Sequence, residues 1–322
     1  MTQTRSPAVT CGCDRNPNLA FSLRDSVRLA GGKCLMTSQA PVRIALKNIL
    51  FATDFSPCSE AVLPYARSLA RLYRSQLVIA HVSPELQDPG SAPEFDLRHA
   101  AIRQMEDLEV SDQLEGIRHK WIVGEGSVWD VLSDIIVRED IDLVVIGTHG
   151  RTGFKKFVMG SVAELIFRQA PCPVLIIGPS VEAETRRTPQ FETILYSTDF
   201  SADCPAAFDY ALSFAAEHNS CLSLITVAPQ QDHELQRSLV DRLMAMLPAN
   251  APLWCKPKAT VEFGEPAECI VSAAVRDKAH LIVLGAHRGA ILTHHLMDTA
   301  YRVICNAPCP VLTVNAHFKP RD

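Results

Sequence analysis

The 322-residue sequence lacks the features that would assign it to a membrane, a secretory pathway or a nucleic acid. No apolar run approaches the ~20 residues of a membrane span, and no apolar signal-peptide core is visible near the N-terminus. The formal net charge is −5 with a pI near 6.1, and Lys and Arg form no basic stripe. We therefore expect neither a membrane nor a nucleic acid among the partners of this chain.

The sequence also lacks paired cysteine motifs, although it contains 11 cysteines. Cys11 with Cys13, and Cys305 with Cys309, have no partner ligands at the spacing of a zinc site. Reduced, buried thiols in a cytoplasmic protein are the expectation, with a redox or metal role for these two pairs as the alternative. Residues 1–44 have no sustained periodicity and are predicted to be a disordered or dispensable extension. Residues 1–35 could instead result from a misassigned start.

The sequence repeats itself after about 140 residues, a period that is too long for a solenoid and indicates duplicated domains. The segment Ile49–Ser56 (ILFATDFS) matches Ile194–Ser201 (ILYSTDFS), and Ala170–Leu175 (APCPVL) is identical to Ala307–Leu312. We therefore predict one domain over residues 45–180 and a second over 191–318, joined by a polar linker over 181–190.

Short apolar runs alternate with helical patterns in each copy, which predicts βαβ units and a parallel sheet. In the first copy the predicted strands lie near 48–52, 76–82, 118–123, 142–147 and 173–177, and the predicted helices near 57–73, 95–115, 127–138 and 161–169. In the second copy the predicted strands lie near 192–197, 221–227, 257–263, 280–285 and 310–315.

A glycine-spaced loop in the first copy is the most informative motif. Gly147 and Gly150 follow a strongly apolar run, and nine residues later Gly160 and Ser161 open a predicted helix. Glycines let backbone approach a phosphate closely, and the N-terminus of a helix offers free N–H groups and the positive end of its dipole. Asp54 follows the first strand and can accept hydrogen bonds from a base or ribose. The spacing therefore predicts a nucleotide site.

The loop, the TDFS segment and the APCPVL segment resemble the universal stress proteins, here as a tandem pair over roughly residues 45–316. The resemblance implies an α/β fold of two Rossmann-like (adenine nucleotide alpha hydrolase-like) domains. Each would be a five-stranded parallel sheet of order 3-2-1-4-5 flanked by helices. It also implies that the last strands, Val174–Ile177 and Val311–Val314, pair with each other, within the chain or between two chains. A homodimer is possible.

The resemblance further implies ATP as the ligand, with Mg²⁺. Adenine and ribose contacts fall near the first two strands, phosphate contacts fall in the loop, and no catalytic residue or protein metal ligand is assigned. The expected contact residues are Ala52, Thr53, Asp54, Val82, Ile146, Gly147, Gly150, Gly160, Ser161 and Val162.

The second copy of the loop keeps its first glycine, Gly285, but has lost two of the others. When the two copies are aligned on the strand before the loop, Arg288 takes the position of Gly150, and Asp298 takes the position of Gly160. A carboxylate ~4 Å from a phosphate at an effective dielectric of ~20 costs about 4 kcal/mol, roughly a thousandfold in affinity. The second domain is therefore predicted not to bind ATP. Alternatively, Arg288 contacts a phosphate that is held elsewhere.

The function expected from these features is an ATP-binding regulatory protein of the stress response, in which occupancy of the first domain biases conformation or assembly. One alternative is a slow ATPase or phosphotransfer enzyme, although no Walker lysine, nucleophile or metal-binding acidic pair is evident. The other is a nucleotide-independent scaffold that dimerises through the last strands. The sequence names neither the stress nor the signalling partner.

Overall fold

The computed structural model of the protein describes residues 43–83, 93–148, 159–181, 189–201, 204–286 and 299–315. Most of the expected N-terminal extension and linker, together with Gly150, Arg288 and Asp298, lies outside these residues. The domain boundaries therefore stay predictions. No helix in these ranges is long and apolar enough to cross a membrane.

The strands form where the sequence has short runs of branched apolar residues, which fit a sheet that is covered on both faces. In the first half they are β1 Asn48–Ala52, β2 Gln76–Ser83, β3 His119–Glu125, β4 Leu143–Gly147 and β5 Val174–Ile177. In the second half they are β6 Thr193–Ser197, β7 Cys221–Ala228, β8 Lys256–Phe263, β9 Leu281–Ala286 and β10 Val311–Asn315.

Helices connect these strands in both halves. The first half has α1 Pro57–Glu60, α2 Leu63–Tyr73, α3 Pro93–Val110, α4 Val128–Arg138 and α5 Ser161–Gln169. The second half has α6 Cys204–His218, α7 His233–Ala245, α8 Pro266–Arg276 and α9 Thr299–Asn306. Short 3₁₀ helices follow α3 and α7, at Asp112–Leu114 and Ala251–Leu253.

The predicted helix over 57–73 is wrong in one respect, because it is broken between α1 and α2. Pro64 is the second residue of α2 and lacks the N–H that would continue the ladder from Glu60. The chain instead makes three-residue turns, in which the N–H of Val62 donates to the carbonyl of Ser59 at 3.0 Å. This break keeps α1 as a separate short turn directly after β1.

All ten strands of the described residues form one sheet, in the order β3-β2-β1-β4-β5-β10-β9-β6-β7-β8. Each half therefore has the predicted order 3-2-1-4-5, and every pairing within a half is parallel. In open parallel sheets a crevice forms where the strand order reverses. In the first half that point lies between β1 and β4.

The two halves are joined by an antiparallel pairing of β5 with β10, in which Leu175 lies opposite Leu312. Side chains extend the junction: Nδ2 of Asn315 donates to the carbonyl of Ala170 at 2.9 Å, and Oγ1 of Thr313 donates to that of Val174 at 3.3 Å. The pairing expected of the last strands is thus observed within one chain. Both strands have neighbours on both sides, so a homodimer would have to use another surface.

Alternate residues of β1 face two separate hydrophobic clusters. Ile49 and Phe51 pack in the cluster that contains α2 and α6, whereas Leu50 packs in the cluster that contains α4 and α5. The sheet therefore separates two layers of helices.

Candidate functional site

A cavity of about 400 Å³ lies where β1 and β4 end, on the side of the sheet covered by α4 and α5. The structure brings nine of the ten predicted contact residues to its wall, and the tenth, Gly150, lies outside the described residues. These nine are Ala52, Thr53, Asp54, Val82, Ile146, Gly147, Gly160, Ser161 and Val162.

The end of β1 is fixed by the buried side chain of Thr53. Its N–H donates to the carbonyl of Ala80 at 2.9 Å, which continues the sheet by one residue. Its hydroxyl shares a 3.0 Å hydrogen bond with that of Ser59 and accepts the N–H of Phe55, also at 3.0 Å. The carbonyl of Thr53 lies 2.9 Å from Nδ1 of His81, at hydrogen-bond distance. Since its hydroxyl, N–H and carbonyl are all bonded to neighbours, Thr53 mainly shapes the cavity wall.

Asp54 is held at the mouth of the cavity by a tight turn. Phe55 has φ +58°, in the left-handed region, which reverses the chain between β1 and α1. Oδ1 of Asp54 accepts the N–H of Ser56 at 3.0 Å, and Ser56 in turn caps α1 by accepting the N–H of Ser59. The half-buried carboxylate is therefore oriented by the backbone before any ligand arrives.

The N-terminus of α5 forms the opposite wall. Gly160 is the N-cap and has no side chain with which to satisfy the first turn, and its own N–H donates to the carbonyl of Thr148 at 2.8 Å. This bond attaches the start of the helix to the end of β4. Ser161 and Val162 follow in the first turn and are exposed. An anion beside these residues would meet free N–H groups and the positive end of the helix dipole.

An apolar surface completes the cavity. Val128 and Leu132 of α4 and Ile166 of α5 line it together with Val82 and Ile146. Sequence reasoning missed the three helical residues, because apolar positions on an amphipathic helix look the same whether they face a core or a ligand. The resulting site has an apolar cleft at one end and polar backbone at the other, as small-molecule sites commonly do.

The described residues contain no group of three or more His, Cys, Asp or Glu side chains that could hold a metal ion. Glu164 lies in the first turn of α5, but its carboxylate is paired with Nε of Arg168 at 3.0 Å. A cation at this site would therefore need ligands other than a protein cluster in these ranges.

The second half repeats the turn after its first strand with one change of chemistry. Oδ1 of Asp199 accepts the N–H of Ser201 at 2.8 Å, as Asp54 does with Ser56, but it also accepts the thiol of Cys204 at 3.2 Å. Cys204 corresponds to Ser59, whose hydroxyl instead bonds to Thr53 and to the carbonyl of Ser56. The thiol of Cys204 is thus a partner of Asp199 that Ser59 does not provide in the first half.

The structure also shifts the correspondence of the two loops by one residue. The N–H of Ala170 closes α5 onto Ile166, and the N–H of Ala307 closes α9 onto Val303 in the same way. When the two copies are aligned on Ala170 and Ala307, Asp298 takes the position of Ser161 and not that of Gly160. In this alignment the carboxylate of the second copy takes the place of a serine and not of the N-cap glycine.

One side chain of the second half bonds to the residue that precedes the N-cap of α5. The hydroxyl of Tyr301, on α9, accepts the N–H of Met159 at 3.2 Å, directly before Gly160. Both residues are buried, and burial raises the pKa of the Tyr301 phenol, which keeps it neutral. The start of α5 is therefore tied to β4 of its own half and to α9 of the other.

Comparisons with known proteins agree with this architecture. Residues 45–178 and 190–315 each match the profile of the Universal stress protein family. A universal stress protein of Methanocaldococcus jannaschii is 25% identical over 155 residues, covering 42% of this chain and 96% of the relative. A universal stress protein A homologue of Coxiella burnetii is 30% identical over 139 residues, covering 41% of this chain and 95% of the relative. A universal stress protein structure from Archaeoglobus fulgidus shares the fold over 84% of this chain and 98% of its own, with a TM-score of 0.67 and 23% identity.

Proposed function

Because the chain belongs to the universal stress protein family, we propose that its first half binds ATP and that occupancy biases the conformation or assembly of the molecule. The observation that carries this proposal is the meeting, in one cavity, of an apolar cleft, the carboxylate of Asp54 and a helix start without a side-chain cap. The adenine would occupy the apolar cleft, the ribose would bond to Asp54, and the phosphates would lie at Gly160 and Ser161.

The cavity suits this ligand in size and in polarity. Its volume of about 400 Å³ is within the range of small-molecule sites. Because no metal-ligating cluster is found in the described residues, Mg²⁺ would be held mainly by the phosphates and water, as this ion often is.

We propose that the second half does not bind ATP. Asp298 would place a negative charge at the start of α9, beside the position that the phosphates would take. Asp199 is already bonded to Ser201 and Cys204. The second half would instead be the structural partner through which ATP bound to the first half changes conformation or assembly.

The link from Tyr301 to Met159 provides a route for that action. A ligand that holds the amides at the start of α5 also fixes the segment to which Tyr301 is bonded. ATP can shift a conformational equilibrium only if it binds one state more tightly than the other. We propose that the bound state is the one in which the bond between Met159 and Tyr301 is formed.

We further propose a cytoplasmic location. All eight cysteines of the described residues are free, which is the usual condition of thiols in a reducing compartment. Burial raises the pKa of the Cys309 thiol to about 12, so this group stays protonated and unreactive.

The test is a calorimetric titration of ATP into the purified full-length chain, with the variant Ser161→Asp alongside. Wild type is expected to bind one ATP per chain. The new carboxylate is expected to weaken binding by about a hundredfold or more, since a repulsion of ~4 kcal/mol is reduced by solvent at this exposed position. Ser161→Asn has the same shape without the charge and is the matched control, with a change of only a few-fold.

Three results would contradict the proposal: two sites per chain, no site in protein shown to be free of co-purified nucleotide, or equal effects of Asp and Asn. Scattering and sedimentation of the same samples with and without ATP would measure conformation and assembly. Release of phosphate would separate binding alone from slow hydrolysis, and steady turnover that Ser161→Asp abolishes would favour an enzyme.

A further inference from the structure

A second cavity, of about 360 Å³, lies on the other face of the sheet, beside the carboxyl end of β1 and between α2 and α3. Its wall includes the aromatic rings of Phe51 and Phe55 and the polar side chains of Glu60, Gln104 and Asp107. We call it the Phe55 cavity. It shares Thr53 with the first cavity, for which we propose ATP as the ligand. Its other wall residues lie beside the hydrophobic cluster that contains α2 and α6.

In the second half, the position that corresponds to the Phe55 cavity is occupied by a side chain of that half. Phe200 repeats Phe55: its φ is +60°, and its N–H donates to the hydroxyl of Thr198 at 2.8 Å. The guanidinium carbon of Arg242 lies 3.9 Å from the centre of the Phe200 ring. This is the geometry of a cation–π contact, and Arg242 therefore supplies a planar cation to the aromatic ring of its own half.

The first half replaces that cation by a different set of side chains. When α3 is aligned with α7, the buried residue Met105 takes the position of the buried residue Leu243. Gln104 of the first half therefore takes the position of Arg242 in the second half. By the same alignment Asp107 replaces Ala245. In the turn before α2, Glu60 replaces Pro205. The arginine has been lost, the ring of Phe55 instead lies 5.0 Å from that of His81, and two carboxylates have been gained at the cavity.

Glu60 and Asp107 are both exposed at this cavity. Within the described ranges, no ion pair or side-chain hydrogen bond involves Glu60 or Asp107. Aromatic rings together with two acidic groups are complementary to an organic cation. They suit a planar guanidinium better than Ca²⁺ or Mg²⁺, which take oxygen ligands alone.

We propose that the Phe55 cavity binds a small organic dication with a guanidinium group at one end, which takes the place that Arg242 takes in the second half. The guanidinium would stack on Phe55, and the carboxylates of Glu60 and Asp107 would bind its N–H groups and the second charge. The observation behind the proposal is the exchange of one arginine for two carboxylates at a cavity of ligand size. The proposal does not rest on the function proposed for the first cavity, although the two cavities share Thr53.

The test is a titration of the full-length chain, without nucleotide, with agmatine, which carries a guanidinium and an amine. Binding is followed by calorimetry and by NMR shifts. Putrescine lacks the guanidinium, and 4-guanidinobutanoate carries a carboxylate in place of the amine. Wild type is expected to bind agmatine at one site, putrescine about tenfold more weakly, and 4-guanidinobutanoate more weakly still.

The decisive variant is Gln104→Arg, which restores the arginine of the second half at an exposed position and is not expected to disturb folding. It is expected to weaken agmatine binding at least tenfold. Asp107→Asn is expected to weaken it a few-fold, and Glu106→Gln, an exposed neighbour outside the cavity wall, to leave it within twofold.

Three results would overturn the proposal. One is the absence of any agmatine site in wild type. Another is equal binding in wild type and Gln104→Arg, and the third is a fall in Glu106→Gln as large as that in Asp107→Asn. Either of these two would mean unspecific attraction to an acidic surface.

Discussion

Removing the hydroxyl of Tyr301 should loosen the start of α5 and weaken ATP binding in the other half of the chain. The variant Tyr301→Phe keeps the ring, which packs in the cluster that contains α4, α5 and α9, and removes only the acceptor for the N–H of Met159. It therefore tests one contact between the halves without creating a cavity.

The expected loss follows from the burial of the amide. Met159 is only 3% exposed, and a buried N–H left without an acceptor costs about 1–3 kcal/mol. The thiol of Cys305 lies close enough to interact with the same amide and can replace part of the lost bond. We therefore expect the free energy of unfolding to fall by about 1 kcal/mol and ATP affinity to fall about threefold to tenfold.

Hydrogen exchange locates the effect. In Tyr301→Phe the amides from Met159 to Val162 should exchange faster than in wild type, whereas amides of β6 to β8 should not change. Tyr196→Phe is the matched control, because it removes another buried hydroxyl, which donates to the carbonyl of Cys204 at 3.0 Å within the second half. It should cost similar stability but leave exchange at Met159 and ATP affinity unaltered.

The reasoning is refuted if Tyr301→Phe leaves exchange at Met159 unchanged. It is also refuted if both tyrosine variants lower ATP affinity equally, because the effect would then be a general loss of stability and not a property of this link.

The other predictions concern stability. Gly124→Ala should lower the free energy of unfolding, measured by chemical denaturation, by about 1–3 kcal/mol, because its new Cβ would lie 2.5 Å from Cγ1 of Val131. Adding Val131→Ala should restore most of that loss, and no restoration would contradict this packing. Asp142→Asn should cost about 1.5–3 kcal/mol, since Oδ2 accepts the backbone N–H groups of Lys47 and Asn48 at 2.8 and 2.9 Å; a loss under 0.5 kcal/mol in the same assay would count against it. Burial lowers the pKa of His218 below its ordinary 6.5. The unfolded chain therefore binds this proton more readily, and the free energy of unfolding should decrease as the pH falls below about 6.5. His218→Gln should flatten that part of the pH profile, and an unchanged slope would show that other groups cause it.

Much of the fold could be predicted from the sequence because it depends on local patterns. Apolar runs of four to eight residues gave strands whose observed ends differ from the predicted ones by at most two residues. The strand order came from the family resemblance and is confirmed. The predicted helix over 57–73 failed because a hydrophobic pattern continues across Pro64, whereas the backbone hydrogen bonds cannot.

The sequence predicted those residues of the candidate site whose type and spacing are unusual for an ordinary strand or helix. Gly147, Gly160 and Ser161 could be found because their spacing is required by close backbone approach, and Asp54 because it follows a strand. Leu132 and Val128 could not, because the residues that form an apolar cleft are the same types that form a core.

By itself the sequence determined the duplication, the two α/β halves and the glycine-spaced loop, since each of these is a pattern among residues that are close in the chain or repeated along it. Only the tertiary structure decided that Tyr301 bonds to Met159 and that Arg242 stacks on Phe200. It also decided that Gln104 and Asp107 share a cavity with Phe55. These contacts join residues that are distant in sequence, and their energies depend on distance and burial, which no local periodicity specifies.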